Sequence, residues 1–431
     1  MITIEHEGAA PMPDIASLTS LESLGFTGGR DSFRAFCARV FADDAPRLLR
    51  TEAGELVVFR HGDLRAFGAL PEVGALPPGV MFPGLHQLPP GAPLPPGGGI
   101  GGVISHQVFT ANPPIHMPVR LTLLRQLSPK QAALLEPVAR NVVQGLLDTL
   151  KHRDEIDLVE DIAERLTARF WGALIGMTET EMAEAALAVR DMTAMFLIQM
   201  TRGDLQTADT ATATYGRLVE TAALRSLAAG THPFVTELAA DLAKIEAQDD
   251  PDEAGIVPPN VGKLLAGNLV DGFHTAAIGA VNTLFALLQH PDTFTEVLAA
   301  PEKLPAVIME ALRLEPPVLF LRRYMLRDLD YAGIHIPKGT QVLMLWAAGN
   351  HDPAVFPKPQ IFRLDRDHRG ITTFGGGAHI CPGRHVALML IRLLLEEIAA
   401  RGLRLSFTDA PYAWLGNHAM SQLPHMRFRV G

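Results

Sequence analysis

Residues 374–385 read Phe-Gly-Gly-Gly-Ala-His-Ile-Cys-Pro-Gly-Arg-His, followed by Val386, Leu390, Leu393 and Leu394 at helical spacing. Cys381 therefore stands where a glycine-rich loop enters a helix. The unpaired N–H groups and partial positive charge of a helix start favour thiolate over thiol, and thiolate is the form that binds a metal. Glycines at this spacing let a flat cofactor approach the backbone and let N–H groups point at the sulfur. His379, two residues before the cysteine, is placed near the edge of such a cofactor. A lone cysteine in a turn reads as an inert packing residue. The glycines and the histidine around this one make it a metal ligand instead.

Three further sets of side chains have spacing suited to chemistry. His116 and Arg120 follow Asn112-Pro113-Pro114 on one helix face, by themselves an ordinary solvated pair. Glu310 and Arg313 share a face three residues apart, by themselves a surface ion pair worth under about 1 kcal/mol. Between Pro259 and Pro291, a long apolar run carries Asn268, Asp271 and Thr275 on one face, with His274 beside them and Gly272 among them. Buried polar groups are costly unless satisfied, so this ridge lines water, a partner or a ligand, or bonds neighbouring helices.

Phe374, Gly377, His379, Cys381 and Gly383 together resemble the signature of the cytochrome P-450 superfamily at every fixed position. A chance match in one chain is on the order of 10⁻⁵. The resemblance covers most of residues 112–407, including Asn350-His351-Asp352-Pro353 and Phe356-Pro357-Lys358-Pro359. It implies the P-450 fold, a triangular prism of helices enclosing haem b, with Cys381 as the axial thiolate on iron. His116, Arg120, Arg323 and His379 would bind the haem propionates, and Phe374, Gly377 and Gly383 would shape the haem loop. Arg322 is the alternative to Arg323, which keeps the family's spacing to Asp328. Glu310 and Arg313 become the family's buried Glu-x-x-Arg pair, joined by Arg366 and structural in role.

In the family, the helix over the oxygen-binding face reads Ala or Gly, Gly, any residue, an acid, then Thr. Here the positions hold Asp271, Gly272, Phe273, His274 and Thr275. Thr275 matches the alcohol, and His274 replaces the acid. An imidazole of pKa about 6.5 carries protons if it reaches water, and Asp271 lies one turn away, so Thr275, His274 and Asp271 are the expected catalytic set. The ridge also suits a substrate hydroxyl or carboxylate, peroxide-driven or nitric-oxide-reducing chemistry, or distal ligation of iron by His274. A haem-binding sensor without turnover is a reading from a different class.

The elements that must position these residues are mainly α with small peripheral β-sheets. Helical spacing dominates residues 118–300. Strand-like segments are Glu55–Phe59, Tyr331–Leu345 around a Pro337-Lys338-Gly339 turn, and a C-terminal pair, Leu403–Phe407 and Met426–Val430. Proline and glycine crowd residues 71–114, which excludes a long helix and makes about 71–112 a flexible substrate-access or binding loop. Met192, Met195, Phe196, Met200 and Val318–Leu321 would complete a lining for a small hydrophobic substrate reacting with O2.

The 431 residues are 48% hydrophobic and 19% charged, with a net charge of -10, which fits a globular protein and disfavours nucleic acid as partner. With only Cys37 and Cys381, neither a disulfide framework nor a four-cysteine cluster can be built. Electrons are thus expected from a separate ferredoxin or flavodoxin with its NAD(P)H reductase, docking near Arg384 and His385. A single domain over 1–431 without a fused reductase, a cytoplasmic location and no membrane anchor complete the expectations.

Overall fold

The structure is a computed structural model that describes residues 13–41, 46–81, 96–245 and 259–431. Its axis is the helix Val261–Leu288, started by Asn260, whose side chain accepts a hydrogen bond from Lys263 N at 2.8 Å. The helix is apolar around most of its circumference, so it can only be stable inside other helices. It packs against Glu164–Ile175, Arg202–Ala229, Leu304–Leu314 and Arg384–Ala400, and their inward side chains form one large core. Among the described residues it is the one helix long and apolar enough to cross a membrane, but 72% of its most apolar window is buried against protein.

Three small sheets lie at the periphery, as the alternating segments require. The largest has the order Leu49–Arg50, Leu56–Val58, Gln341–Met344, Leu321–Met325, Val73–Ala75, with Leu56–Val58 parallel to Gln341–Met344 and the other pairs antiparallel. The expected turn at 337–339 connects Ile334–Ile336 to Gln341–Met344, with Gly339 at a φ of 88°. The C-terminal pair forms as Leu405–Phe407 against Arg427–Val430, and Glu155–Asp157 adds a third strand. The fold is the mainly α architecture that the spacing predicts.

The proline- and glycine-rich stretch differs from a plain loop. Residues 82–95 lie outside the described residues, but its flanks hold the strand Val73–Ala75 and the helices Pro78–Met81 and Gly98–Ile104. A glycine-rich helix forms at 98–104 because it needs bare backbone: a Cβ on Gly99 would stand 2.3 Å from the Asp209 carbonyl oxygen. The Asp209 carboxylate accepts from Ile100 N at 2.8 Å, anchoring the first turn to Arg202–Ala229.

Candidate active site

The loop carrying Cys381 is built by glycine and by close backbone contact. Gly377 has a φ of 64°, and a Cβ there would fall 1.5 Å from Gly68 O, so no other residue fits. Cys381 N donates to Phe374 O at 2.9 Å, closing the loop. Phe374 packs on the main core. At Gly383 a Cβ would meet no protein atom, so nothing in the protein itself demands glycine there.

Behind this loop the expected ion pair is fully buried. Arg313 donates to both carboxylate oxygens of Glu310 at 2.8 Å, Arg366 Nε reaches Glu310 Oε1 at 3.1 Å, and His368 Nε2 meets Oε2 at 3.1 Å. Burial would raise the Glu310 pKa, but Arg313, His368 and Arg363 N hold it down to about 2. Arg313 and Arg366 also cap five carbonyls of residues 350–361, and Thr373 ties the haem loop to the carbonyl of Leu312. The network clamps the loop to its neighbours. His368 is a member that pair spacing alone does not reveal.

In front of the loop, four basic groups converge. The rings of His116 and His379 stack with centroids 4.1 Å apart, and Arg120 donates to the carbonyl of Ile380. Arg323 lies over the ring of Phe109 at 4.9 Å. Arg322, on the other face of the same strand, pairs with Glu55 at 2.6 Å, which leaves Arg323 as the interior arginine. Burial and the neighbouring cations lower His116 to about 4 and His379 to about 2, and burial lowers Arg323 to about 10. His116 Nε2 and His379 Nδ1 are buried without partners, and no described acid pairs with Arg323 or Arg120. A cluster of buried cations and open donors is costly unless an anion completes it, and the propionates of haem b fit that demand.

Cys381 itself corrects one expectation. It precedes the helix Arg384–Ala400, but burial outweighs the pull of Gly383 N and raises its thiol to about 11. A cation at the sulfur would offset this burial and favour the thiolate. Cys37 is buried in a separate core around Phe33 and Phe36, which suits an inert thiol.

The central helix divides its polar residues. Asp271 and Thr275 keep accessible surface, as does Cys381. Asp271 lies close enough to Cys381 for its charge to raise the thiol. Thr275 Oγ1 donates to Asp271 O at 2.6 Å, leaving its lone pairs free to accept. Burial lifts the Asp271 carboxyl to about 7, where it gains and loses a proton near neutrality.

His274 is not part of that face. It is buried and lies parallel to Phe196, with centroids 5.2 Å apart and planes 4° apart. Burial and His418 depress its pKa to about 3, against a weaker push from Gln422. Buried and neutral, it is cut off from the water that its reading as a proton carrier requires. Asn268 leaves the ridge too, since it bonds His106 O, Leu264 O and Val108 N. Tyr215, which the spacing does not reveal, comes close enough to feel the charge of Asp271. Of the expected lining, Phe196 reaches the central helix, whereas Met192, Leu319 and Phe320 turn into cores.

Comparison with known proteins places this geometry. A family model described as Cytochrome P-450 matches residues 302–401. The chain is 29% identical over 293 residues to a C-19 steroid 1alpha-hydroxylase of Sorangium cellulosum, covering 65% of this chain and 69% of the relative. It is 27% identical over 337 residues to the cytochrome P-450 monooxygenase PikC of Streptomyces venezuelae, covering 76% and 77%. Among solved structures, CalO2 superposes with a TM-score of 0.78 at 21% identity over 96% of this chain and 99% of that one.

Proposed function

The chain belongs to the cytochrome P-450 superfamily of haem-thiolate monooxygenases, and from that premise we propose that it inserts one oxygen atom of O2 into a small or medium hydrophobic molecule. The reaction is a hydroxylation or an oxidative dealkylation, with electrons from a separate ferredoxin or flavodoxin and its NAD(P)H reductase. The single observation that carries this reading is the Cys381 loop standing beside a cluster of basic groups, Arg120, Arg323, His116 and His379, that no described acid completes. Support for a hydrophobic substrate comes from the similarity to a steroid hydroxylase.

Cys381 holds the iron through its sulfur, and His116, Arg120, Arg323 and His379 receive the propionates. Haem b bound there would supply activation and reductive cleavage of dioxygen, chemistry that a thiolate ligand favours. Thr275, its hydrogen donated to Asp271 O, keeps an oxygen that can accept. Asp271 holds a proton at its carboxyl and exchanges it near neutral pH. His274 instead packs the helix against Phe196. Arg384 and His385, at the start of the helix after Cys381, are the proposed redox-partner contacts.

Substrate-dependent NAD(P)H oxidation with added ferredoxin and reductase is the test, with the product carrying oxygen from labelled O2. Asp271→Asn lowers product formation about a hundredfold, the low end for a positioned proton donor, whereas His274→Ala leaves its pH profile in place. A second reading, peroxide-driven oxygenation, is favoured by the carboxyl that the central helix carries at Asp271, raised to about 7 by burial. Turnover with hydrogen peroxide alone, and none with the redox partners, would select it.

A further inference from the structure

Between the central helix and the helices Glu164–Ile175 and Glu179–Asp191 lies a cavity of about 20 Å³, bounded on a further side by Gln422 and Leu423. It is separate from the haem site. Helical periodicity puts Phe273, Ala277 and Val281, which line it, on the side of the central helix turned away from Asp271 and Thr275. Most of the wall is apolar, but polar groups interrupt it. Nε2 of His274 and Oε1 of Gln422 are buried, and neither has a hydrogen-bond partner. The two side chains lie close enough to act on one another, yet not in bonding geometry. Glu164 adds a third group: Arg190 bonds its Oε2 at 2.5 and 3.2 Å, which leaves Oε1 as an available acceptor.

The backbone behind these groups is fixed. Gln422 O accepts from Leu415 N at 2.9 Å, and Ser421 O accepts from Asn282 of the central helix at 2.9 Å, so the Gln422 amide is delivered to this place by anchored chain. We propose that the cavity binds one or two water molecules, which bridge His274, Gln422 and Glu164 and so hold the His274 ring parallel to Phe196. A water site needs about 10–15 Å³ and two to four polar partners, and the cavity offers both. Water, with two hydrogens and two lone pairs, can serve a ring nitrogen and two acceptor oxygens together. An apolar guest would leave the ring nitrogen and the amide oxygen unpaired, which is costly in an interior. Such waters are a fixed part of the interior, not the solvent with which a proton carrier exchanges. The inference goes beyond the haem reading and does not depend on it.

The test is a set of crystal structures of the haem-loaded protein, wild type and Gln422→Met, each also pressurised with xenon, which enters dry apolar cavities. Methionine keeps the length of glutamine and removes both polar atoms. Wild type is expected to show ordered water about 2.7–3.2 Å from His274 Nε2 and from Gln422 Oε1, and no xenon there. In Gln422→Met the water leaves, xenon occupies the cavity, and the ring turns out of its plane with Phe196. Ala186→Leu fills the cavity from the facing helix with the polar groups intact, and it expels the water as well. Xenon in the wild-type cavity, a direct bond between His274 and Gln422 with no water beside it, or water that neither variant displaces overturns the proposal. A ring that stays parallel to Phe196 after the water has gone overturns its positioning role. Each structure shows directly that the variant is folded.

Discussion

Glu310→Ala destabilises the protein by about 3–5 kcal/mol, the usual result of removing one partner from a buried charge network. Glu310 and Arg313 are both fully buried, and Arg366 and His368 converge on the same carboxylate. Without it, Arg313 is left as a buried cation facing carbonyls and the Phe356 ring, with no anion to balance its charge. The change reads out as a lower urea midpoint with an unchanged slope. Because Thr373 bonds Leu312 O in the same helix, the variant also loosens the Cys381 loop. A loss below about 1 kcal/mol would mean that the network behaves like a surface pair.

Arg323→Met has effects of opposite sign on the two forms of the protein. Arg323 is buried with no acidic partner, and its pKa is pulled down to about 10 by burial and then by Arg120. In the haem-free protein that charge is a cost, so methionine raises stability by about 1 kcal/mol or more. In the proposed haem-bound state Arg323 would meet a propionate, and a hydrogen bond between charged groups is worth about 1.5–3 kcal/mol. The variant should therefore release haem to an acceptor protein about ten- to a hundredfold more readily. Urea unfolding of haem-free protein and haem-transfer rates measure the two effects. If methionine destabilised the haem-free protein and left haem transfer unchanged, Arg323 would be a packing residue.

Much of this was legible in the sequence wherever function is encoded locally. The Cys381 loop, the Glu310–Arg313 pair and the long central helix depend on residues a few positions apart, and each forms where the spacing puts it. The cationic cluster was legible only through family resemblance, since it joins residues near 116, 323 and 380. What stayed hidden depends on distant neighbours. Helical periodicity places His274 beside Thr275, but the segment around Phe196, His418 and Gln422 decides that its ring is buried and neutral. The Cys381 thiol illustrates competing terms: a helix start is visible in sequence, whereas the burial that raises the thiol is not. Short strands such as Val73–Ala75 owe their existence to pairing with Leu321–Met325, which no local pattern announces.

The central claim is that Cys381 is the thiolate ligand of a haem iron. It is tested most directly by the absorption spectrum of the reduced, carbon-monoxide-bound protein. The wild type is expected to show the long-wavelength band of thiolate ligation, and Cys381→Ser to lose it while remaining folded. Absence of the band from the wild type, or its survival in Cys381→Ser, would contradict the account.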